Sequence, residues 1–130
     1  MKIVINKCNG GFGLSHKAVM RYAEITGIKI YPFVEEHDGK LVPYDGVGKY
    51  SLIHYSTKPL CDGKYEEGSY WTVRNNRTDP ALVQVVEELG DEANSPLSQL
   101  KVVEIPDGVQ WEIDDYDGME TIHEVHRTWR

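Results

Sequence analysis

The sequence predicts an α+β domain, a mostly antiparallel sheet with two main helices and a C-terminal β-hairpin. Three observations predict it. Lys2 to Cys8 reads as a strand around the β-branched Ile3, Val4 and Ile5,. Asp79-Pro80 opens and Gly90 closes a stretch whose apolar residues recur at helical spacing, the usual punctuation of a helix. Near the end, Asp117-Gly118 separates two β-like runs, the dipeptide that favours a two-residue hairpin turn.

In the first strand Ile3 and Ile5 fall on one face and Lys2, Val4 and Asn6 on the other. A glycine loop, Asn9 to Leu14, follows. Ser15 then reads as a helix N-cap, and Val19, Tyr22, Ala23 and Ile25 continue at near-helical spacing until Gly27,. From Ile28 the pattern turns β-like: Ile30, Phe33 and Val34 lead to an Asp38-Gly39 turn, with Leu41 and Val42 on the return,. Val47 to Tyr55 and Ser69 to Arg74 are two further expected strands, rich in aromatic and β-branched residues,. Between them Thr57 to Gly68, punctuated by Pro59, Gly63 and Gly68, is expected to be a mobile surface loop,. The second helix carries the stripe Leu82, Val83, Val85, Val86 and Leu89,. Lys101 to Ile105 is a short strand stopped by Pro106, and Val109 to Tyr116 pairs with Met119 to His126 across the Asp-Gly turn. Met119, Ile122, Val125 and Trp129 also fit a helical period, so a helix after Gly118 stays open as an alternative,.

A chain of 130 residues is long enough to bury roughly two-thirds of its extended surface around one core, so residues 1–130 are expected to form a single domain. The composition, 40% apolar and 27% charged, excludes a disordered tail or a fibrous protein. The opening residues alternate too soon to supply a signal peptide's apolar core, and no long apolar run occurs,. The expectation is a protein that is neither secreted nor membrane-spanning. Cys8 and Cys61 lack the spacing of a metal or redox motif, and they read as free thiols in a reducing compartment. A net charge of −7 opposes binding of nucleic acid polymers, whereas a compact anion needs only local positive potential.

Three constellations can hold such an anion. The first is Gly10-Gly11-Phe12-Gly13-Leu14-Ser15, between strand and helix, where backbone amides can approach a phosphate. Its glycine spacing fits neither a dinucleotide fingerprint nor a Walker loop, and the competing reading is a tight turn with Phe12 plugging the core. The second is Trp71, Arg74, Asn75, Asn76, Arg77 and Asp79: arginine grips phosphate, asparagine reads a base edge and tryptophan stacks on a nucleobase. Here Asp79 as a helix cap and solvated arginines are the plainer alternative. The third is the cationic, aromatic end His126-Arg127-Thr128-Trp129-Arg130. The candidate ligand-binding residues are therefore Gly11, Phe12, Gly13, Ser15, Trp71, Arg74, Asn76, Arg77, Arg127 and Trp129. The acidic run Glu112, Asp114, Asp115, Asp117, Glu120 and Glu124 suits a solvated strand face better than a metal or acid–base site,. His123 and His126 make a poor metal pair. No nucleophile and base arrangement stands out, so no catalytic set, cofactor or metal is expected.

The segments INKCNGGFGLS, RTDPALVQVVEELG, KVVEIPDGVQWEIDDYDG and HRTW together resemble a group of small phage and prophage proteins that includes the Thoeris anti-defence sponges. The resemblance covers most of the chain except about Ile28 to Gly68. It implies a protein in the cytoplasm of a bacterial host that sequesters a cyclic ADP-ribose signal, or a cyclic oligonucleotide, without cleaving it. It also implies a homo-oligomer with pockets near subunit interfaces. Thr121 and Ile122 depart from the group's aromatic and aliphatic pair after the Asp-Gly turn, which puts the packing of the last ribbon in doubt. Two other readings stay in competition: a nucleotide-signal hydrolase using the acidic ribbon, and a protein-binding inhibitor of a host factor.

Overall fold

In a computed structural model, residues 1–46, 52–72 and 76–125 are described. Among the described residues, two helices and seven strands in antiparallel sheets make an α+β fold, with the hairpin of Trp111–Tyr116 and Met119–Glu124 at the C-terminal end. The chain is described in two compact units, Met1–Tyr22 with Arg74–Arg130, and Ala23–Val73.

The first unit is built on β1 (Lys2–Asn6), paired antiparallel with β5 (Leu100–Glu104) in the register Lys2↔Glu104 to Asn6↔Leu100. Ile3, Val4, Ile5 and Asn6 are all buried, so both faces of β1 are covered. The helix α1 (His16–Thr26) starts in this unit and contributes the buried Ala18, Val19 and Tyr22. Ser15 caps it, its hydroxyl accepting from Ala18 N at 3.1 Å and donating to Glu92 O at 2.6 Å. The helix α2 (Pro80–Leu89) buries Leu82, Val83, Val85 and Val86 and packs on β1 and β5. Its start is fixed twice. Asp79 accepts from Ala81 N at 2.9 Å, the usual N-cap bond, and Asp79 also accepts the phenolic proton of Tyr22. Gly90, at φ 56°, ends the helix and leads into a single 3-10 turn, Gly90–Ala93.

The unit closes with β6 (Trp111–Tyr116) and β7 (Met119–Glu124), paired from Trp111↔Glu124 to Tyr116↔Met119. Strand, not helix, follows the turn. Asp117 and Gly118 sit at φ 51° and 88°, the left-handed pair that a two-residue hairpin requires. Gly118 has a second reason to be glycine: a Cβ there would lie 2.5 Å from Gly11 N and 2.8 Å from Asn9 O.

In the second unit β2 (Tyr31–Glu35) lies between β3 (Leu41–Pro43) and β4 (His54–Ser56). The Asp38-Gly39 turn joins β2 to β3, with Gly39 at φ 83°. Of the strand expected from Val47 to Tyr55, residues 54–56 are strand and 47–51 lie outside the described residues. The strand expected from Ser69 reduces to one bridge, Ser56↔Tyr70, with Trp71 N donating to Tyr55 O at 2.9 Å. The expected mobile loop from Thr57 to Gly68 is laced to its surroundings: Thr57 N donates to Ser69 O at 2.8 Å, and Cys61 and Lys64 exchange backbone bonds of 2.8 and 3.0 Å.

Two measurements check this account. Gly118→Ala adds overpacking of about 1–3 kcal/mol to left-handed strain of about 1–2 kcal/mol, whereas Gly108→Ala, at φ 80° with nothing within 4 Å, incurs the strain alone. Urea denaturation should rank Gly118→Ala clearly below Gly108→Ala, and equal losses would refute the close approach. Burial first, and then the bond to Asp79, push the Tyr22 phenol up to about 12 from an ordinary value near 10. The folded state therefore holds this proton more tightly, so its contribution is whole below pH 10 and is lost as pH rises towards 12. Wild-type protein should lose stability across that window more steeply than Tyr22→Phe, read by denaturant midpoints at pH 9 and pH 11.5.

Candidate functional site

The glycine loop, the turn before α2 and the hairpin meet at one ion pair. Arg77 reaches Glu120 with both terminal nitrogens, Nη1 to Oε1 at 2.6 Å and Nη2 to Oε2 at 2.8 Å. The two side chains are 12% and 5% exposed, so the pair is largely withdrawn from water. Such a fork is the strongest ordinary arrangement of these groups. Further bonds complete it: Asn6 N donates to Glu120 Oε1 at 2.8 Å, and Arg77 Nη1 donates to Val4 O at 3.3 Å. Val4 N in turn donates to Arg77 O at 2.9 Å. The guanidinium carbon stands 3.7 Å from the centre of the Phe12 ring, a cation–π contact.

Asn6 is the second organiser. Its side-chain amide donates to Cys8 O at 2.7 Å and Gly118 O at 2.6 Å, and its Oδ1 accepts from Gln99 N at 2.8 Å. One buried amide thus holds the glycine loop's entrance, the hairpin turn and the approach to β5. The glycines answer the same crowding. At Gly10 a Cβ would overlap Leu97 O at 1.7 Å, and at Gly13 it would press on Ser95 Oγ at 3.0 Å. Ser98 Oγ donates to Gly13 O at 2.8 Å. Asn9 and Gly10 form a hydrogen-bonded turn at the entrance of the loop, and Gly118 lies over the Gly11 nitrogen.

Of the residues singled out in the sequence, Gly11, Phe12, Gly13 and Arg77 therefore come together, with Ser15 next to them as the cap of α1. Arg77 reaches this node with its guanidinium taken up by Glu120. Asn76 is exposed, its side chain accepting from Thr78 Oγ1 at 3.3 Å. Trp71 belongs to the other unit, half-buried and edge-on to Tyr55 at 6.4 Å. Arg74, Arg127 and Trp129 lie outside the described residues. One expectation is corrected: Glu120 is not on a solvated acidic face. It points inward because its face of the hairpin also carries Trp111, Ile113 and Ile122, all at least half-buried, while the opposite face is open. There His123 Nε2 meets Asp114 at 2.9 Å and Thr121 Oγ1 at 3.1 Å.

The sequence reading missed Asn6 as an organiser, and it missed an aromatic group in the second unit formed by Phe33, His54, Tyr65 and Tyr70. It also missed a groove of about 610 Å³ beside α2, lined chiefly by Met1, Lys2, Pro80, Val83 and Glu87. That groove is mostly apolar, and its charges are already matched. Lys2 meets Glu87 at 3.0 Å, and the N-terminal ammonium meets Asp107 at 2.8 Å. It has no unmatched positive charge for an anion. Among the described residues no group of three or more His, Cys, Asp or Glu is placed to hold a metal ion, and no helix is long and apolar enough to cross a membrane. No protein-family model, curated protein or solved structure gives a significant match to this chain.

Removing one partner of the central pair should be far worse than removing both. Arg77→Ala or Glu120→Ala strands a buried charge and should cost about 3–5 kcal/mol, whereas Arg77→Met with Glu120→Leu should recover most of it. Guanidinium chloride denaturation of the three variants decides. A double variant as unstable as either single would show that the pair's neighbours, not the uncompensated charge, set the loss.

Proposed function

We propose that this protein binds a small anionic nucleotide and holds it without cleaving it, as a stoichiometric sponge for an immune signal of the cyclic ADP-ribose type or a cyclic oligonucleotide. The observation that carries the reading is the glycine loop between β1 and α1, which Asn6, Ser98 and Gly118 hold in place. A preorganised set of amides gains affinity because little ordering remains to be done on binding. The resemblance of the glycine loop, the α2 segment and the hairpin to phage anti-defence sponges supplies the class of ligand, the homo-oligomer and the setting in a bacterial cytoplasm. Holding rather than cleaving is supported by the condition of the acidic ribbon, where Glu120 is neutralised by Arg77 and His123 is engaged by Asp114 and Thr121.

Arg77 has its charge matched within the fold; Arg74 and Arg127, named with it from the sequence, are the remaining arginines proposed for the ligand's phosphates. Each charged hydrogen bond lost should weaken capture by about 1.5–3 kcal/mol.

The test is to incubate the protein with cyclic ADP-ribose isomers and cyclic oligonucleotides, remove the protein by ultrafiltration, heat it and chromatograph what is released. Unchanged ligand from the heated protein is the expected result, reduced in Arg74→Ala and Arg127→Ala. Converted product would instead mean a hydrolase, and ligand left in the filtrate would leave a protein partner as the target. Inorganic pyrophosphate should shift the backbone amide resonances of Gly10, Phe12 and Gly13. Unmoved resonances would mean that the phosphate site has been misplaced.

A further inference from the structure

We propose that Tyr65 and Tyr70 form a stacking platform for the planar heteroaromatic ring of a nucleobase. The platform begins on the middle strand of the second unit, where Phe33 of β2 stands opposite His54 of β4 in register. Their rings are near parallel, 5.2 Å apart with an interplanar angle of 22°. Tyr65 stacks on the same phenylalanine at 5.6 Å and 26°, while Tyr70 meets it edge-on at 6.5 Å and 80°. Tyr65 and Tyr70 lie 5.8 Å from each other, inclined at 55°.

Exposure separates the layers. Phe33 is 2% exposed, whereas Tyr65 and Tyr70 keep 43% and 48% of their surface in water. Covering Phe33 needs only apolar bulk; it does not need two rings held in place and left half open. They are held nonetheless. The phenolic oxygen of Tyr70 is 3.0 Å from His54 Nδ1, and its backbone bridges to Ser56. The segment between the tyrosines is tied by Ser69, whose amide and hydroxyl both donate to Glu66 O, at 3.0 and 2.5 Å. Rings fixed before a ligand arrives lose little freedom on binding.

The chemistry of the surface selects the ligand. Tyr65 and Tyr70 present open, uncharged π-faces, and Lys58 is matched by Glu66 at 2.9 Å. A flat neutral ring can lie on them, because every base has a π-face and stacking on tyrosine tolerates any of them. The open angle between the two tyrosines admits a ring laid on one and met by the edge of the other, and the Tyr70 hydroxyl can exchange a hydrogen bond with a base edge. The choice of a nucleobase over other flat rings rests on the nucleotide reading above.

Adenosine, which has no phosphate, is the probe. Titrated into the full chain, it should shift the aromatic proton resonances of Tyr65 and Tyr70 saturably. Tyr65→Leu and Tyr70→Leu, which still cover Phe33, should each weaken binding by about tenfold or more, while Tyr65→Phe and Tyr70→Phe should keep most of it. Tyrosine resonances that adenosine does not move, or leucine variants that bind as the wild type does, would overturn the platform. If a leucine variant unfolds, the wild-type shifts alone decide. Adenosine bound at the tyrosines without capture of any cyclic nucleotide would keep the platform and remove the sponge. Capture that survives both leucine substitutions would keep the sponge and remove the platform.

Discussion

A carboxylate at 5% exposure stays charged only if something nearby stabilises its charge, and in the first unit that need is met by Arg77. The consequences spread from that one pairing. Arg77 precedes α2, so fixing its guanidinium also fixes the entry to the helix, where Asp79 caps and Tyr22 bonds. Glu120 follows the hairpin turn, so the same pair sets how β7 lies on β1, with Asn6 N as a third contact. Phe12 covers the guanidinium and brings the glycine loop with it. Four segments distant in sequence are ordered by a single neutralised charge.

This arrangement explains which parts of the fold could be read from the sequence. The helix α2 and the turn of the last hairpin are local matters: a cap, an apolar stripe and two residues with positive φ, all within reach of a short window. Strand β1 is also legible, because the β-branched run Ile3-Val4-Ile5 marks it whatever it pairs with,. The pairing of Glu120 is not local. In sequence it is one of six acids on an acidic ribbon, and only the register Asp115↔Glu120, with its face turned inward, distinguishes it. Arg77 was legible as a special arginine, but its guanidinium could have served an outside anion equally well until its partner 43 residues away was in view. Asn6 carried no signal at all, since a polar residue ending a strand is ordinary until both its faces are buried.

The middle of the chain was read less well, for a different physical reason. Its strands are three to five residues long, too short for period two to stand out from chance. Order there comes instead from rings and from loop hydrogen bonds such as Cys61 with Lys64, which connect residues of no particular local pattern. The glycine- and proline-punctuated stretch Thr57 to Gly68 places Tyr65 on Phe33 and leads to Tyr70 at its edge. The two candidate chemistries thus fall in separate parts of the chain, amides in one and aromatic faces in the other, and each is supported by a different kind of packing.

The pairing of β1 with β5 has a consequence for biosynthesis. Lys2 finds its partner at Glu104, so during synthesis β1 must wait for the whole stretch up to β5 before it has a neighbour. Until then it is an apolar edge with open hydrogen-bonding groups, the kind of segment that associates with other nascent chains. The three-stranded sheet of β2, β3 and β4 has no such delay, since all its strands lie within one contiguous stretch. Chaperone demand and loss to aggregation during expression should therefore follow the speed at which the stretch between β1 and β5 is translated.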